Sequence, residues 1–397
     1  MTLLHLDPSD LDRRGAPHTA REIAQQPAVW AAVHALVQRD RPALDAFLAP
    51  LLALPDLRIV LTGAGSSAFI GQCLAPALLQ QLGARADGRG LRVEAVATTD
   101  IVSNPAQCLP PGVPTLLVSF ARSGNSPESL AAVELADQVV GNCHHLVVTC
   151  AQEGTLNRRL SGQPRAHVLL LPDETHDRAF AMTSSFTGML LAAAWAFNLP
   201  LPPVSALGAA AEQLLATQGD RLTTLAAQPF ERVVVLGSNG LQGLAREAAL
   251  KILELTDGQL VALADSPLGF RHGPKTVLND RTLVLILLSN DRYTRRYDLD
   301  LLRELRREGR ARVVALGTAS PAGADEAAEL GNDDVTLTLP PSASDLGLAP
   351  VALVFGQCLA LLASLRLGIT PDNPSASGTV TRVVSGVIIH PLDPSQA

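Results

Sequence analysis

The feature that most constrains this fold is a pattern of short apolar segments and helices that occurs twice along the chain. In the first copy, the apolar segment Arg58–Thr62 is followed by the turn Gly63–Ser67 and by a predicted helix, Ala68–Leu82. In the second copy, Arg232–Gly240 resembles that strand and turn. Parallel strands need long crossover connections, which helices usually supply. The alternation therefore predicts a parallel sheet with helices on both faces in each copy.

Further segments correspond in the same order in both copies. The first copy contains predicted strands at Arg92–Thr99, Pro114–Phe120, His145–Cys150 and Ala166–Leu171. The second copy contains counterparts of the last three, at Arg281–Asn290, Ala311–Thr318 and Asp333–Pro340. A long helix is predicted to close each copy, and the first of these is Thr183–Asn198.

We therefore predict an α/β protein with two tandem domains, each a doubly wound parallel sheet flanked by helices. The boundary is expected near Pro202–Ala209, where the pattern is interrupted. The predicted ranges are an N-terminal arm at 1–36, a first domain at 37–203, a second domain at 204–382 and a C-terminal tail at 383–397. The length of 397 residues is sufficient for two domains of ordinary size.

Composition excludes several classes of function. A net charge of −7 without a basic stripe argues against nucleic-acid binding. The five cysteines are scattered without zinc or redox spacing, which is typical of a reducing compartment. No signal peptide is evident at the N-terminus. The most apolar segment, Leu346–Leu367, is interrupted by Pro350, Gly356 and Gln357, so we expect a buried helix rather than a membrane span. Together these features predict a cytoplasmic protein.

Two turns have the composition of a phosphate cradle. Gly63–Ser67 follows a strand and begins a helix, and Ser123–Ser126 does the same after the third strand. Glycine permits a tight turn, and a helix N-terminus presents free N–H groups to an anion. In a doubly wound sheet, both turns lie at the carboxyl edge of the strands, where ligands bind. Either turn alone is also compatible with a capped turn that binds nothing, but the pair favours a phosphate monoester site.

A dinucleotide site is the competing interpretation of the first turn. The residues from Gly63 to Ala68 fit the loose pattern G-x-G-x-x-A, which is a weak signal by itself. That fingerprint requires an acid at the end of the next strand, and Asp100 is rather distant for this role. The chain has no G-x-x-x-x-G-K-[ST] motif, which argues against a nucleotide triphosphatase.

Candidate acid/base residues are concentrated between Arg246 and Lys275. Glu247, Lys251 and Glu254 have the spacing i, i+4 and i+7, so they share one face of a predicted helix. This face can also be an ordinary solvated one. The chain has 31 Lys and Arg residues, and both of its lysines, Lys251 and Lys275, lie in this stretch. A carboxylate together with an imidazole such as His272 can supply acid/base catalysis near neutral pH.

The motifs together resemble those of the sugar isomerase (SIS) family. The turns GAGSS and SGNS occur in a duplicated domain, and E-x-A-L-K-x-x-E is followed by R-H-G-P. These last two motifs resemble the isomerase half of glucosamine-6-phosphate synthase. The fuller set, SFARSGNSPES with FRHGPK, is most similar to the AgaS-type branch of galactosamine-6-phosphate deaminases/isomerases. The resemblance extends over roughly residues 40–380 and implies two tandem SIS domains.

This resemblance implies a role for each matching residue. Sugar-phosphate binding is implied for Gly65, Ser66, Ser67, Arg122, Ser123, Gly124, Asn125 and Ser126. The sugar pocket is implied to include Thr183, Ser184 and Ser185. Glu254 would be the base that moves a proton between C2 and C1, while Glu247 and Lys251 would position it and stabilise the developing charge. His272 would help to open the sugar ring from a neighbouring subunit, which implies a homo-oligomer.

The chain departs from the synthase in two places. The region Pro371–Arg382 has no lysine to match the one near the synthase C-terminus, which excludes Schiff-base chemistry from that position. From its N-terminal sequence we also expect the chain to lack the glutaminase domain of the synthase. We therefore expect deamination of galactosamine 6-phosphate to tagatose 6-phosphate and ammonia, without a metal or cofactor. Because water releases the ammonia, we also expect the enzyme to be classified as a hydrolase as well as an isomerase.

Three other functions remain open at this point. A ketose/aldose 6-phosphate isomerase would need the same base and the same ring-opening histidine. A glucosamine-6-phosphate deaminase would differ only in recognition of one hydroxyl group. A non-catalytic sugar-phosphate sensor would leave the pairing of Glu254 and His272 unexplained.

Overall fold

The computed structural model of the chain describes residues 3–83, 91–319, 330–384 and 386–393. Its strands are β1 Arg58–Thr62, β2 Arg92–Ala95, β3 Thr115–Ala121, β4 Cys143–Thr149, β5 Ala166–Leu170, β6 Arg232–Gly237, β7 Val261–Asp265, β8 Thr282–Leu287, β9 Arg312–Thr318 and β10 Val335–Leu337. All pairings between these strands are parallel.

Helices follow most of the strands, as the alternation predicts. The α-helices are α1 Pro8–Arg13, α2 Pro17–Ala24, α3 Gln26–Leu52, α4 Ser66–Leu82, α5 Thr98–Ser103, α6 Pro105–Cys108, α7 Pro127–Val139, α8 Thr155–Leu160, α9 Ser184–Ala196, α10 Val204–Thr217, α11 Gly219–Ala227, α12 Gly240–Leu255, α13 Pro267–Phe270, α14 Arg292–Glu308 and α15 Asp345–Arg366. Short 3₁₀ helices are present at Leu3–His5, Asp173–Thr175 and Pro274–Val277.

The strands form two five-stranded sheets with the same topology. The first has the order β2-β1-β3-β4-β5, and the second has the order β7-β6-β8-β9-β10 when read in the matching direction. The predicted α/β class with two parallel sheets flanked by helices is therefore confirmed. In each sheet the chain order reverses between the first and third strands, which is the point where ligands bind to open parallel sheets.

The chain divides into two compact units, each containing one sheet. The first-sheet unit comprises the described residues of Ala32–His176, Ser184–Leu199 and Val380–Ala397. The second-sheet unit comprises those of Met1–Ala31, Asp177–Thr183 and Pro200–Thr379. Both units are discontinuous along the chain. Residues 3–31 group with the second sheet, and the described residues from Val380 onward group with the first. The two units therefore have other bounds than the four consecutive ranges predicted from the sequence.

Buried apolar side chains explain why the strands were easy to identify. All residues of β1, β3 and β8 are buried, so these strands read as short continuous apolar runs. Two elements differ from the prediction. Strand β2 ends at Ala95, because helix α5 begins at Thr98 within the predicted strand. Strand β7 was missed because it is partly exposed and ends in an acid.

Helix α15 closes the second copy and corresponds to the apolar segment predicted to be buried. It is long and apolar enough to cross a membrane by length and composition, and it was the only such helix found among the described residues. Its residues from Leu346 to Leu365 are all buried inside the protein. The expectation of a buried core helix is therefore confirmed.

Candidate active site

Helix α12 brings together three of the predicted catalytic side chains. Its sequence consists largely of strong helix formers, and residues three or four positions apart share one face. Lys251 Nζ lies 2.5 Å from Glu254 Oε2 and 3.5 Å from Glu247 Oε1. The ammonium group therefore lies between two carboxylates, in a charge-assisted arrangement that orients both.

Burial distinguishes the members of this triad. The side chains of Glu247 and Lys251 are 0% and 1% exposed, whereas that of Glu254 is 22% exposed. The alternative of an ordinary solvated face is therefore wrong for Glu247 and Lys251. A buried ion pair is expensive to form and to break, because each charge loses its hydration. Glu254 is the member of the triad that combines contact with the ammonium and access to solvent.

His272 lies in a turn that follows helix α13. Ser266 caps this short helix by accepting a hydrogen bond from the Gly269 N–H, and the His272 N–H donates to the Gly269 carbonyl oxygen at 2.9 Å. Gly273 has φ of +123°, a conformation that L residues rarely adopt. His272 is exposed on the surface of its unit. The glycine turn therefore presents the imidazole to solvent.

Lys275 belongs to a salt-bridge cluster rather than to the acid/base residues. Its ammonium group pairs with Glu304 and Glu308 on helix α14. Arg271 pairs with the same Glu304 at 2.9 Å. Burial opposes the charge of Lys275, but the hydrogen bonds that its ammonium group donates to Glu304 and Glu308 raise its pKa. This cluster connects the segment around His272 to α14, so the two lysines of the chain have different roles.

The first predicted phosphate turn is built around two glycines. Gly65 has φ of +55° and no side chain caps helix α4, which begins at Ser66. A Cβ on Gly63 would lie 2.5 Å from Ser67 Cβ, so only glycine allows this close approach. Ser66 and Ser67 are each 5% exposed. An uncapped helix N-terminus with adjacent hydroxyl groups can bind an anion.

The second predicted turn is held by its own side chains. Ser126 caps α7 by accepting a hydrogen bond from the Ser129 N–H at 3.3 Å, and Ser123 Oγ accepts one from the Asn125 N–H. Asn125 Oδ1 accepts from the N–H and hydroxyl of Thr155, both at 2.9 Å. Gly124 has φ of +64°. These hydrogen bonds give several predicted phosphate-binding residues a structural role as well.

Arg122 is the cation of this turn. It is 7% exposed, and its Nη2 donates to the Arg382 carbonyl oxygen at 2.7 Å. Both turns follow neighbouring parallel strands of the first sheet, since β1 pairs directly with β3. The six residues Gly65, Ser66, Ser67, Arg122, Ser123 and Ser126 are therefore brought to the same edge of one sheet.

The segment predicted to line the sugar pocket contains Thr183, Ser184 and Ser185. All three residues are 0% exposed. The Thr183 N–H and hydroxyl donate to Asp177, at 2.7 and 3.0 Å. The structure groups Thr183 with the second-sheet unit and the two serines with the first. Their hydroxyl groups are not accessible from solvent.

Sequence reasoning missed a buried acid in the N-terminal region. Glu22 of α2 is 2% exposed and accepts hydrogen bonds from the backbone N–H groups of Arg178 and Ala179. Burial and the nearby charge of Asp177 raise the pKa of Glu22 to about 7. Its polar neighbours in the sequence gave no sign of burial. Glu22 and Asp177 together fix the loop that leads to Thr183.

Comparison with known proteins identifies close relatives over almost the whole chain. A D-galactosamine-6-phosphate deaminase AgaS from Escherichia coli is 48% identical over 94% of this chain and 95% of that protein. The D-galactosamine-6-phosphate deaminase AgaS of Shewanella sp. strain ANA-3 is 43% identical over 98% of this chain and 96% of the relative. The predicted resemblance to the AgaS-type branch is confirmed by these matches. No protein-family model matches the chain.

A solved structure matches the fold as well. The tagatose-6-phosphate ketose/aldose isomerase from Escherichia coli has a TM-score of 0.85 and 43% sequence identity, covering 95% of this chain and 97% of that structure. The relatives are named as deaminases, and the matching structure as an isomerase. The predicted classification as a hydrolase is therefore wrong.

Proposed function

The chain belongs to the AgaS family of D-galactosamine-6-phosphate deaminases, and we propose that it converts galactosamine 6-phosphate to tagatose 6-phosphate and ammonia. The observation that carries this proposal is the high identity to AgaS proteins over almost the whole chain. The triad of Glu247, Lys251 and Glu254 supports it, because it supplies a solvent-accessible carboxylate held by a buried ammonium group.

The proposed reaction begins with the ring-closed amino sugar. His272 assists ring opening, which exposes the C1 aldehyde. Glu254 then removes the C2 proton while the C1 oxygen gains a proton from solvent, which gives an enolamine. Glu254 delivers the proton that it removed to C1, and the amino group loses one proton to solvent. The product is a ketimine at C2. Water adds to this carbon and ammonia leaves, which gives the 2-keto sugar phosphate.

Lys251 and Glu247 are proposed as positioning residues. The contact of 2.5 Å holds the Glu254 carboxylate in one orientation, and Glu247 holds the ammonium from the other side. Proton transfer depends on placing the base within hydrogen-bond reach of the C2 proton. The positive charge of Lys251 also stabilises negative charge that develops as this proton leaves.

The phosphate group is proposed to bind at the turns of the first sheet. The uncapped N-terminus of α4 supplies backbone N–H groups, and its first two residues, Ser66 and Ser67, supply hydroxyl groups. Arg122 supplies a positive charge on the neighbouring turn. Binding energy from this remote group positions the reacting carbons.

One assay tests the proposed activity. Purified full-length protein is incubated with galactosamine 6-phosphate or glucosamine 6-phosphate, and ammonia and ketose are measured together. We expect equal amounts of ammonia and ketose with galactosamine 6-phosphate, and slower turnover of the gluco epimer. Turnover of the gluco epimer alone would assign glucosamine-6-phosphate deamination. Failure to release ammonia from either sugar would refute the deaminase assignment.

A second candidate function is ketose/aldose isomerisation of a sugar 6-phosphate. The observation that favours it is the 43% identity to a structure named as tagatose-6-phosphate ketose/aldose isomerase. The same proton transfer between C2 and C1 would serve a substrate without nitrogen. Interconversion of tagatose 6-phosphate with its aldose, measured in the same preparation, distinguishes the two activities.

We also propose a cytoplasmic homo-oligomer in which His272 acts on the substrate of a neighbouring subunit. The exposed position of His272 supports this role. The test mixes an inactive Glu254→Gln chain with an inactive His272→Asn chain after reversible dissociation. Recovery of activity in the mixture is expected if the imidazole acts across an interface. If it acts within its own chain, each mixed subunit stays inactive.

A further inference from the structure

A group of three potential metal ligands lies in the first-sheet unit, away from the two turns. Cys143 and His145 are the first and third residues of β4, so their side chains point to the same face of the sheet. Helix α7 packs on that face, and Cys143 is buried in the same apolar cluster as Ala136 and Val139 of α7. This packing brings Asp137 of α7 to His145, with Asp137 Oδ1 2.7 Å from His145 Nε2.

The three side chains converge on one point. A sulfur, a ring nitrogen and a carboxylate oxygen from Cys143, His145 and Asp137 all lie within 4.8 Å of one another. His145 is 2% exposed, and its second nitrogen, Nδ1, has no hydrogen-bond partner among the residues that the structure describes. Nε2 is the ring nitrogen that faces Asp137. A neutral imidazole that carries its proton on Nδ1 presents the lone pair of Nε2, so a cation held by His145 and Asp137 together would replace the hydrogen bond between them.

A cavity of about 480 Å³ opens beside Asp137 and His145. Its other walls come from α8 and the segment that leads into β5, at the amino-terminal edge of the sheet. Two cations line it, but both are engaged: Arg159 pairs with Glu134, and Arg165 Nη1 donates to the Gly141 carbonyl oxygen. The cavity provides an entry path and space for a water molecule as a further ligand.

We propose that Asp137, Cys143 and His145 form a zinc-binding site. Thiolate, imidazole and carboxylate are the ligands that zinc prefers, at about 2.0–2.3 Å from the metal in tetrahedral geometry. Ligand atoms of a tetrahedral zinc ion lie about 3.3–3.6 Å apart. Asp137 Oδ1 and His145 Nε2 would therefore separate slightly from 2.7 Å, and the Cys143 sulfur lies within 4.8 Å of the other two ligand atoms. Water from the cavity completes the coordination.

The site is structural in character. Its ligands come from α7 and β4 at the edge of the first sheet opposite the carboxyl ends of the strands, where the serine turns lie. A metal ion there joins a helix to the strand beneath it and binds only the folded chain, so it stabilises the folded state. Zinc binds the thiolate form of cysteine, so binding at neutral pH displaces the Cys143 thiol proton into solvent.

The test uses full-length protein treated with a chelator and then titrated with cobalt(II), which reports thiolate ligation through its charge-transfer absorption. We expect saturation at about one metal ion per chain, displacement by zinc, and release of about one proton per ion bound. Zinc should raise the melting temperature. Asp137→Asn, which changes a half-exposed side chain, should weaken zinc binding at least tenfold and leave the metal-free melting temperature nearly unchanged.

Cysteine variants identify the thiolate. Cys143→Ser should abolish the cobalt charge-transfer absorption, whereas Cys108→Ser, at a cysteine outside the cluster, should retain it. The proposal is overturned if wild-type protein shows no thiolate absorption with cobalt. It is also overturned if Cys143→Ser retains that absorption, or if Asp137→Asn binds zinc as tightly as the wild type.

Discussion

Gly65 and Asn239 adopt the same backbone conformation at matching positions of the two sheets. Gly65 has φ of 55° and ψ of −126°, and Asn239 has φ of 52° and ψ of −123°. Each residue precedes the first helix after the first strand of its sheet. Side chains are disfavoured at positive φ, and asparagine tolerates it better than most residues. The second copy therefore has the same turn geometry as the first, with asparagine at the position where glycine would be free of strain.

Replacing Asn239 with glycine should stabilise the protein. Strain at such a position is of the order of 1–3 kcal/mol, while the added flexibility of the unfolded chain costs about 0.5–1 kcal/mol. We expect the free energy of unfolding to rise by about 1 kcal/mol in denaturant titrations. Asn239→Ala is the control and should lower it. A glycine variant less stable than the wild type would show that the Asn239 side chain makes a stabilising contact.

Glu254→Gln should remove catalysis without unfolding the protein. Lys251 retains Glu247 as an ion-pair partner, so the buried ammonium is not left uncompensated. We expect kcat to fall by about 10²–10⁴-fold, the range for loss of a general base, while the affinity for the sugar phosphate stays nearly constant. Glu212→Gln changes an exposed glutamate of α10 and serves as the control. Wild-type turnover in Glu254→Gln would remove Glu254 from the mechanism.

Serine variants in the two turns should separate phosphate binding from stability. Ser67→Ala should raise KM by roughly tenfold to a hundredfold, because a hydrogen bond to a charged group contributes about 1.5–3 kcal/mol. Its stability should change little, since alanine favours the helix. Ser126→Ala also removes the cap of α7 and should lower the free energy of unfolding by about 1 kcal/mol. Unchanged KM in both variants would argue against these turns as the phosphate site.

Glu22 should make stability fall as the pH rises. Its pKa is about 7 in the folded protein, against an ordinary value of 4.5, so the folded state binds more protons between these values. Its contribution is therefore most favourable below about pH 4.5 and is lost as the pH rises through 7. Glu22→Gln cannot lose this proton. At pH 8 we expect the variant to be roughly 2–3 kcal/mol more stable than the wild type in urea titrations, with a smaller difference at pH 5. An identical pH dependence in both proteins would contradict this account.

Gly356 should control the packing of the helix that carries Glu254. A Cβ at this position of α15 would lie 3.2 Å from Ala248 Cβ on α12, closer than ordinary contact. Overpacking typically costs about 1–3 kcal/mol, which exceeds the gain of about 1 kcal/mol in helix propensity. Gly356→Ala should therefore lower both stability and kcat. In the control Gly208→Ala, the nearest atom would be 3.7 Å away, and we expect a small stabilisation. A stable, fully active Gly356→Ala would show that α12 shifts freely.

Much of the architecture follows from local patterns. Buried parallel strands are continuous apolar runs, so Arg58–Thr62 was identified with its observed bounds. The matching order of segments predicted the same topology in both sheets, because short connections restrict the possible strand orders. Strand β7 was missed, since a partly exposed edge strand has a weaker apolar signal than a central one.

The sequence by itself determined the two parallel sheets, the glycine turns and the shared face of Glu247, Lys251 and Glu254, because local patterns of apolar, glycine and charged residues indicate each of them. Only the tertiary structure decided that Glu247 and Lys251 are buried, that Lys275 pairs with Glu304, and that Glu22 supports the loop before Thr183. It also brought Asp137 beside His145. These outcomes depend on which helix packs on which face of a sheet or of another helix. That packing determines how far each charged side chain is buried, and therefore how much free energy its charged form costs.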